Sequence, residues 1–305
     1  MTGELLALAA AFAFALSSVA IAKGARTSSG ETGVLLSAMA TGLFAGLGWL
    51  ATGNGQFHLN GWHGAGVAIG WFVASGLLAT VWGRITMFRS IELAGVIRAS
   101  TTRRLMPFMS VIVAGLVLGE RVSGVAAVGM ALIAASFYLL YRENSARIRI
   151  SSDDPARRAM ISRGLVYGIA SALLYALSFV ARKFGLEAVP DAFFGAFVGS
   201  LTAIAFYAGA AVFSTRYRIA LAGALRTPNP WQLLAAVLMA AGQLSQFAAL
   251  KLTGVGRVAF INSVEVYIAA FLAVAVFKTE PMPGRAIVIA TILATGGVIL
   301  MSLPA

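Results

Sequence analysis

The segment GELLALAAAFAFALSSVAIAKG, Gly3–Gly24, returns in mid-chain without a gap as GLVYGIASALLYALSFVARKFG, Gly164–Gly185. Ala9-Ala10-Ala11 falls on Ala170-Ser171-Ala172, and Ala15-Leu16-Ser17 on Ala176-Leu177-Ser178. A second match follows in the same order: Glu92-Leu93-Ala94-Gly95-Val96-Ile97-Arg98 falls on Lys251-Leu252-Thr253-Gly254-Val255-Gly256-Arg257. Glu120 to Gly124 then falls on Glu280 to Gly284. Small residues in apolar segments match easily by chance, but several matches in one order at nearly one offset mark an internal repeat. The repeat also bears on the N-terminus. Ser17-Ser18-Val19-Ala20 would suit signal cleavage, yet the segment opens without a basic region and has a copy in mid-chain, so it reads as a retained span.

Working outward from the two copies, apolar runs long enough to cross a hydrocarbon core recur along all 305 residues. Ten spans are expected near 5–22, 33–51, 64–83, 94–118, 122–141, 164–181, 193–213, 233–250, 255–277 and 286–303. Helix is the state such spans must take, because an open strand edge leaves backbone groups unsatisfied in lipid. Charged residues make up 11% of the chain against roughly 25% in soluble domains, and 33 glycines suit close helix packing. Gly42/Gly46, Gly66/Gly70, Gly115/Gly119 and Gly195/Gly199 are small-residue pairs one turn apart.

The expected fold class is therefore all-α integral membrane. Residues 1–141 form a first five-helix repeat, 142–163 a basic linker and 164–305 a second repeat. Five is odd, so the second half enters the membrane upside down. Inverted repeats are a transporter device that places a substrate site near the midplane between the halves.

The net charge of +12 does not point to nucleic acid, because the Lys and Arg residues sit between apolar spans instead of on one soluble face. They fit positive-inside anchoring of a multi-pass protein in a cell (inner) membrane, with membrane lipids as partners. By that count the 142–163 side is cytoplasmic and both termini lie outside. The chain has no cysteine, and its two histidines, His58 and His63, fall in one polar loop, so no metal and no cofactor is expected. No Walker loop, zinc motif or nucleophile elbow occurs, which argues against an enzyme. Rings of like groups, which would suggest a channel, are also missing.

Pro107-Phe108, followed by Leu118-Gly119-Glu120-Arg121-Val122-Ser123 and a glycine-bearing span, resembles the EamA-type branch of the drug/metabolite transporter superfamily. The resemblance covers the whole chain. It implies a carrier or exporter of amino acids and other small metabolites, with a central cavity lined by the first, third, fourth, sixth, eighth and ninth helices, and termini inside. The second half departs from the pattern with Val266 in place of the proline and Lys278-Thr279-Glu280 in place of Gly-Glu. Thr101-Thr102-Arg103-Arg104 is another departure, in a window that is usually small and apolar in the family.

Arg103 and Arg104 lie about ten residues into the fourth span and Glu265 about ten into the ninth, near the middle of a ~30 Å core. Each costs ~2.5 kcal/mol or more there unless paired or hydrated. Asn262 shares a helix face with Glu265. The expectation is that Arg103 or Arg104 grips a substrate anion and Glu265 takes a substrate ammonium or a coupling proton. The plainer reading is a salt bridge in a structural or receptor protein. Further candidates for substrate contact are Gln243 and Gln246, Ser178 with its repeat mate Ser17, Thr101, and the rings of Tyr175, Trp71 and Tyr267. Pro107 is expected to kink its helix and serve gating, with Glu120 and Glu280 as structural or gating groups at helix ends. The expected function is secondary transport, by export or exchange, of a small polar metabolite such as an amino acid or organic anion. Nucleoside-like or drug-like solutes are the alternative, and the protein is expected to be a monomer or homodimer.

Overall fold

The computed structural model describes residues 2–24, 30–52, 62–94, 102, 104–147, 155–226, 229–272 and 285–303. They are helical almost throughout, and no strand occurs among them. The helices are α1 (Thr2–Gly24), α2 (Gly30–Ala51), α3 (Trp62–Gly76), α4 (Gly83–Ala94), α5 (Met106–Leu118) and α6 (Gly124–Arg147). In the second half come α7 (Pro155–Ala188), α8 (Ala192–Phe213), α9 (Thr215–Arg226), α10 (Pro230–Leu252), α11 (Val255–Asn262), α12 (Glu265–Phe271) and α13 (Arg285–Ser302). A π-helical stretch, Leu77–Trp82, joins α3 to α4. Helix enters the basic stretch 142–163 from both sides.

Among the described residues, six helices are long and apolar enough to cross a membrane: Thr2–Ile21, Thr32–Ala51, Gly64–Ile91, Ala159–Ala188, Ala192–Phe213 and Pro230–Leu252. Met106–Leu118, Gly124–Leu139 and Val288–Ser302 are shorter apolar helices. At 1.5 Å per residue the 13 residues of α5 cover about 20 Å, less than a ~30 Å core. The ninth expected span divides at Ser263-Val264 into α11 and α12.

The packing plan repeats itself when the halves are exchanged. α1 lies on α10, and α3–α4 lies on α7. α2 contacts α10 as α3 contacts α8, and α1 contacts α11 and α12 as α5 contacts α7. Three pairs, α2 with α8, α5 with α11 and α6 with α13, map onto themselves. Such closure is what a two-repeat chain produces. At the α6–α13 crossing the helices touch through glycines: a Cβ on Gly129 would meet the Gly297 carbonyl at 2.6 Å, and the reverse holds. Gly42 and Gly46 likewise receive Ser200 and Phe197 of α8, whereas Gly66 and Gly70 meet nothing within 4 Å.

The turn from α10 to α11 is held by three groups, from α1, from α7 and from the residue after the end of α5. Gly119 ends α5 in the left-handed conformation (φ 66°), which places Glu120 beyond the helix. The Glu120 carboxylate accepts hydrogen bonds from the Val255 and Gly256 amides at 2.9 and 3.4 Å, capping the free N–H groups of α11. Lys183 donates to the Leu250 and Thr253 carbonyls at the end of α10. Glu4 of α1 pairs with Arg257 at 3.2 Å.

Candidate functional site

The π-helical stretch builds one wall of the site. In an α-helix at about 100° per residue, positions five apart point ~140° away from each other. The Gly83 amide instead bonds the Leu78 carbonyl, five residues back. This wider winding lets Ser75, Thr80 and Arg84 all line one cleft. Ser37 and Thr41 of α2, Gly199 and Ser200 of α8, and Gln243 and Phe247 of α10 form the other walls. Arg182 of α7 completes it.

Arg182 is 6% exposed. Its Nε donates to Ser75 Oγ at 3.0 Å and its Nη1 donates to Gln246 Oε1. The guanidinium lies 4.7 Å from the Phe247 ring centroid and 5.5 Å from that of Phe179. All these partners are neutral, and no carboxylate pairs with Arg182 among the described residues. Burying an unpaired cation costs several kcal/mol, and a cation–π contact returns ~2 at best. Arg84 adds a second guanidinium, with its Nε buried and without a partner. No lining residue is acidic. The hydroxyls of Ser37, Thr41 and Ser200 donate to carbonyls of their own helices, so the donors left for a ligand are the two guanidiniums, Gln243, Thr80 and the O–H of Ser75, whose oxygen accepts from Arg182.

Of the residues expected from sequence, the structure brings Gln243 and Gln246 here, one to the lining and one to Arg182. Ser178 lies one turn before Arg182 on α7, buried and with its Oγ unpartnered. Its repeat mate Ser17 donates to the Ala235 carbonyl at 2.9 Å. The Tyr175 ring packs against Gly83, beside the π-helical wall. Trp71 turns outward: it is 39% exposed and lies on Phe184, 4.8 Å between centroids.

The charged group expected at the centre lies elsewhere, between α5, α6 and α12. Arg104 is half-buried in the turn before α5, 5.8 Å from the Phe137 ring centroid. Phe137 stacks on Tyr267, whose hydroxyl is 2.7 Å from that of Ser136. Glu265 opens α12 and is half-buried. Asn262 ends α11 with both amide atoms buried and unpartnered. Arg103, Thr101 and Glu280 lie outside the described residues. Pro107 occupies the first turn of α5. A proline lacks an N–H, and the first turn is where the helix does not use one.

Sequence reasoning missed Arg182 and Arg84. It closed the sixth span at Ala181, where charges begin, whereas α7 runs on to Ala188. The signal was present. The gap-free repeat continues to Gly185, and Ser171, Ser178 and Arg182 recur at steps of seven and four, the spacing of one helix face.

Residues 1–142 and 162–303 both match the EamA-like transporter family. The chain belongs to that family. It is a multi-pass membrane protein of the drug/metabolite transporter superfamily, built from two repeats. The fold is similar to that of a protein of known crystal structure, with a TM-score of 0.71, 17% identity, and coverage of 98% of this chain and 96% of the other. At that identity the likeness shows the fold alone. No curated protein matches the chain significantly by sequence. The cleft shares the third, sixth and eighth spans with the lining that the family resemblance implies and adds the second and seventh.

Proposed function

We propose that the protein is a secondary carrier, exporting or exchanging a small polar metabolite with an anionic group, such as an amino acid or organic anion. Ten crossings arranged as two inverted five-helix repeats in a cell (inner) membrane would rock around the cleft, exposing it to each side in turn. The observation that carries this reading is Arg182, a buried cation inside a membrane span with only neutral partners. Apolar packing would be more stable there, so retention of the charge is explained by a ligand that supplies the counter-ion. Arg binds carboxylate or phosphoryl oxygens through a planar fork, and Arg182 commits Nε and one Nη to protein. Nη2 is left for the ligand. Nucleoside-like and drug-like solutes fit less well, because the lining offers cations and no acidic partner.

The test is exchange. Purified protein in liposomes loaded with a mixture of amino acids and organic acids should trade internal for labelled external solute, and protein-free liposomes should not. No exchange with any solute class, from protein that is monodisperse in detergent, contradicts the carrier reading.

A further inference from the structure

Within the carrier reading, we propose that the cleft selects a small organic dianion and rejects zwitterionic amino acids. The cleft holds two guanidiniums, from α7 and α4, and its lining contains no carboxylate. One ligand charge would leave a net positive cleft, and two neutralise it. Arg182 is the fixed half of the pair, held by Ser75 and Gln246. Arg84 is the adjustable half: it is only partly buried, and its Nε waits without a protein partner. A dicarboxylate or a phosphate monoester meets both with charge-assisted hydrogen bonds. An amino acid brings one carboxylate and one ammonium. The ammonium needs acceptors and a negative neighbour, and here it would stand between two cations, while Ser37, Thr41 and Ser200 already occupy nearby carbonyls.

Binding and movement are measured separately, so this inference and the carrier reading fail in different ways. Thermal stability of the detergent-purified protein is followed with succinate, glycerol 3-phosphate, lactate, alanine and a short-chain anionic phospholipid. Both soluble dianions should stabilise the protein and bind about tenfold or more tightly than lactate, with no shift from alanine. Arg84→Gln should bring the dianion-to-lactate ratio close to one, Arg84→Lys should keep most of it, and Arg182→Gln should abolish both responses. Stabilisation by alanine equal to that by succinate overturns the inference, as does a ratio unchanged in Arg84→Gln. Stabilisation by the phospholipid alone overturns it too, making the cleft a headgroup site. Dianion binding without liposome exchange upholds the inference and removes the carrier reading.

Discussion

Arg182 and Arg104 both lie among apolar helices, and their surroundings differ. Arg182 projects into a cleft, fixed by a serine and a glutamine, with part of its fork unused. Arg104 lies at a helix start against Phe137, beside the Tyr267–Ser136 hydrogen bond. The first is oriented by neutral donors and acceptors that leave its charge uncancelled. The second spreads over an aromatic surface, as a packing residue does. A buried charge by itself therefore says little about function. What its hydrogen bonds leave open, and whether space lies in front of it, says more.

The comparison is broken most severely at Arg182. Arg182→Ala should lower exchange by about a hundredfold or more, since a charge-assisted fork is worth ~3 kcal/mol or more in a dry site. Gln246→Leu should cost about tenfold in affinity, because it frees the guanidinium to leave its position, and labelled-solute competition reads this. Glu120→Ala tests a different kind of charge. It uncovers the first amides of α11 and should lower stability by ~1–2 kcal/mol in thermal unfolding, with ligand affinity nearly unchanged. The smallest effect is expected at Tyr267→Phe, which removes one buried hydrogen bond worth ~1 kcal/mol and should leave exchange within about twofold. A loss of exchange at Tyr267→Phe as large as at Arg182→Ala would put the Arg104 cluster in the transport path and erase the distinction.

The repeat, the helical class and the paired glutamines were legible because each follows from spacing or composition. Gln243 and Gln246 fall three apart on one helix and reach the same place. Arg182 was hidden because the sixth span was closed at Ala181, which left it among the flanking charges. Its neighbour Lys183 does cap a helix end, bonding the Leu250 and Thr253 carbonyls. Arg84 was hidden for a geometric reason, since the π winding that brings it into line with Ser75 and Thr80 leaves no mark in hydrophobic periodicity. Pro107 falls inside the span drawn from 94 to 118 and sits in the first turn of α5, which starts at Met106.

Arg182→Met tests the central claim most directly, with thermal stability of the ligand-free protein and solute exchange measured on the same preparation. Removing an uncompensated buried charge should leave stability unchanged or raised, and exchange should vanish. A variant that exchanges like wild type, or one that loses several kcal/mol of stability, would show that Arg182 serves packing and that the cleft is not where the transported solute binds.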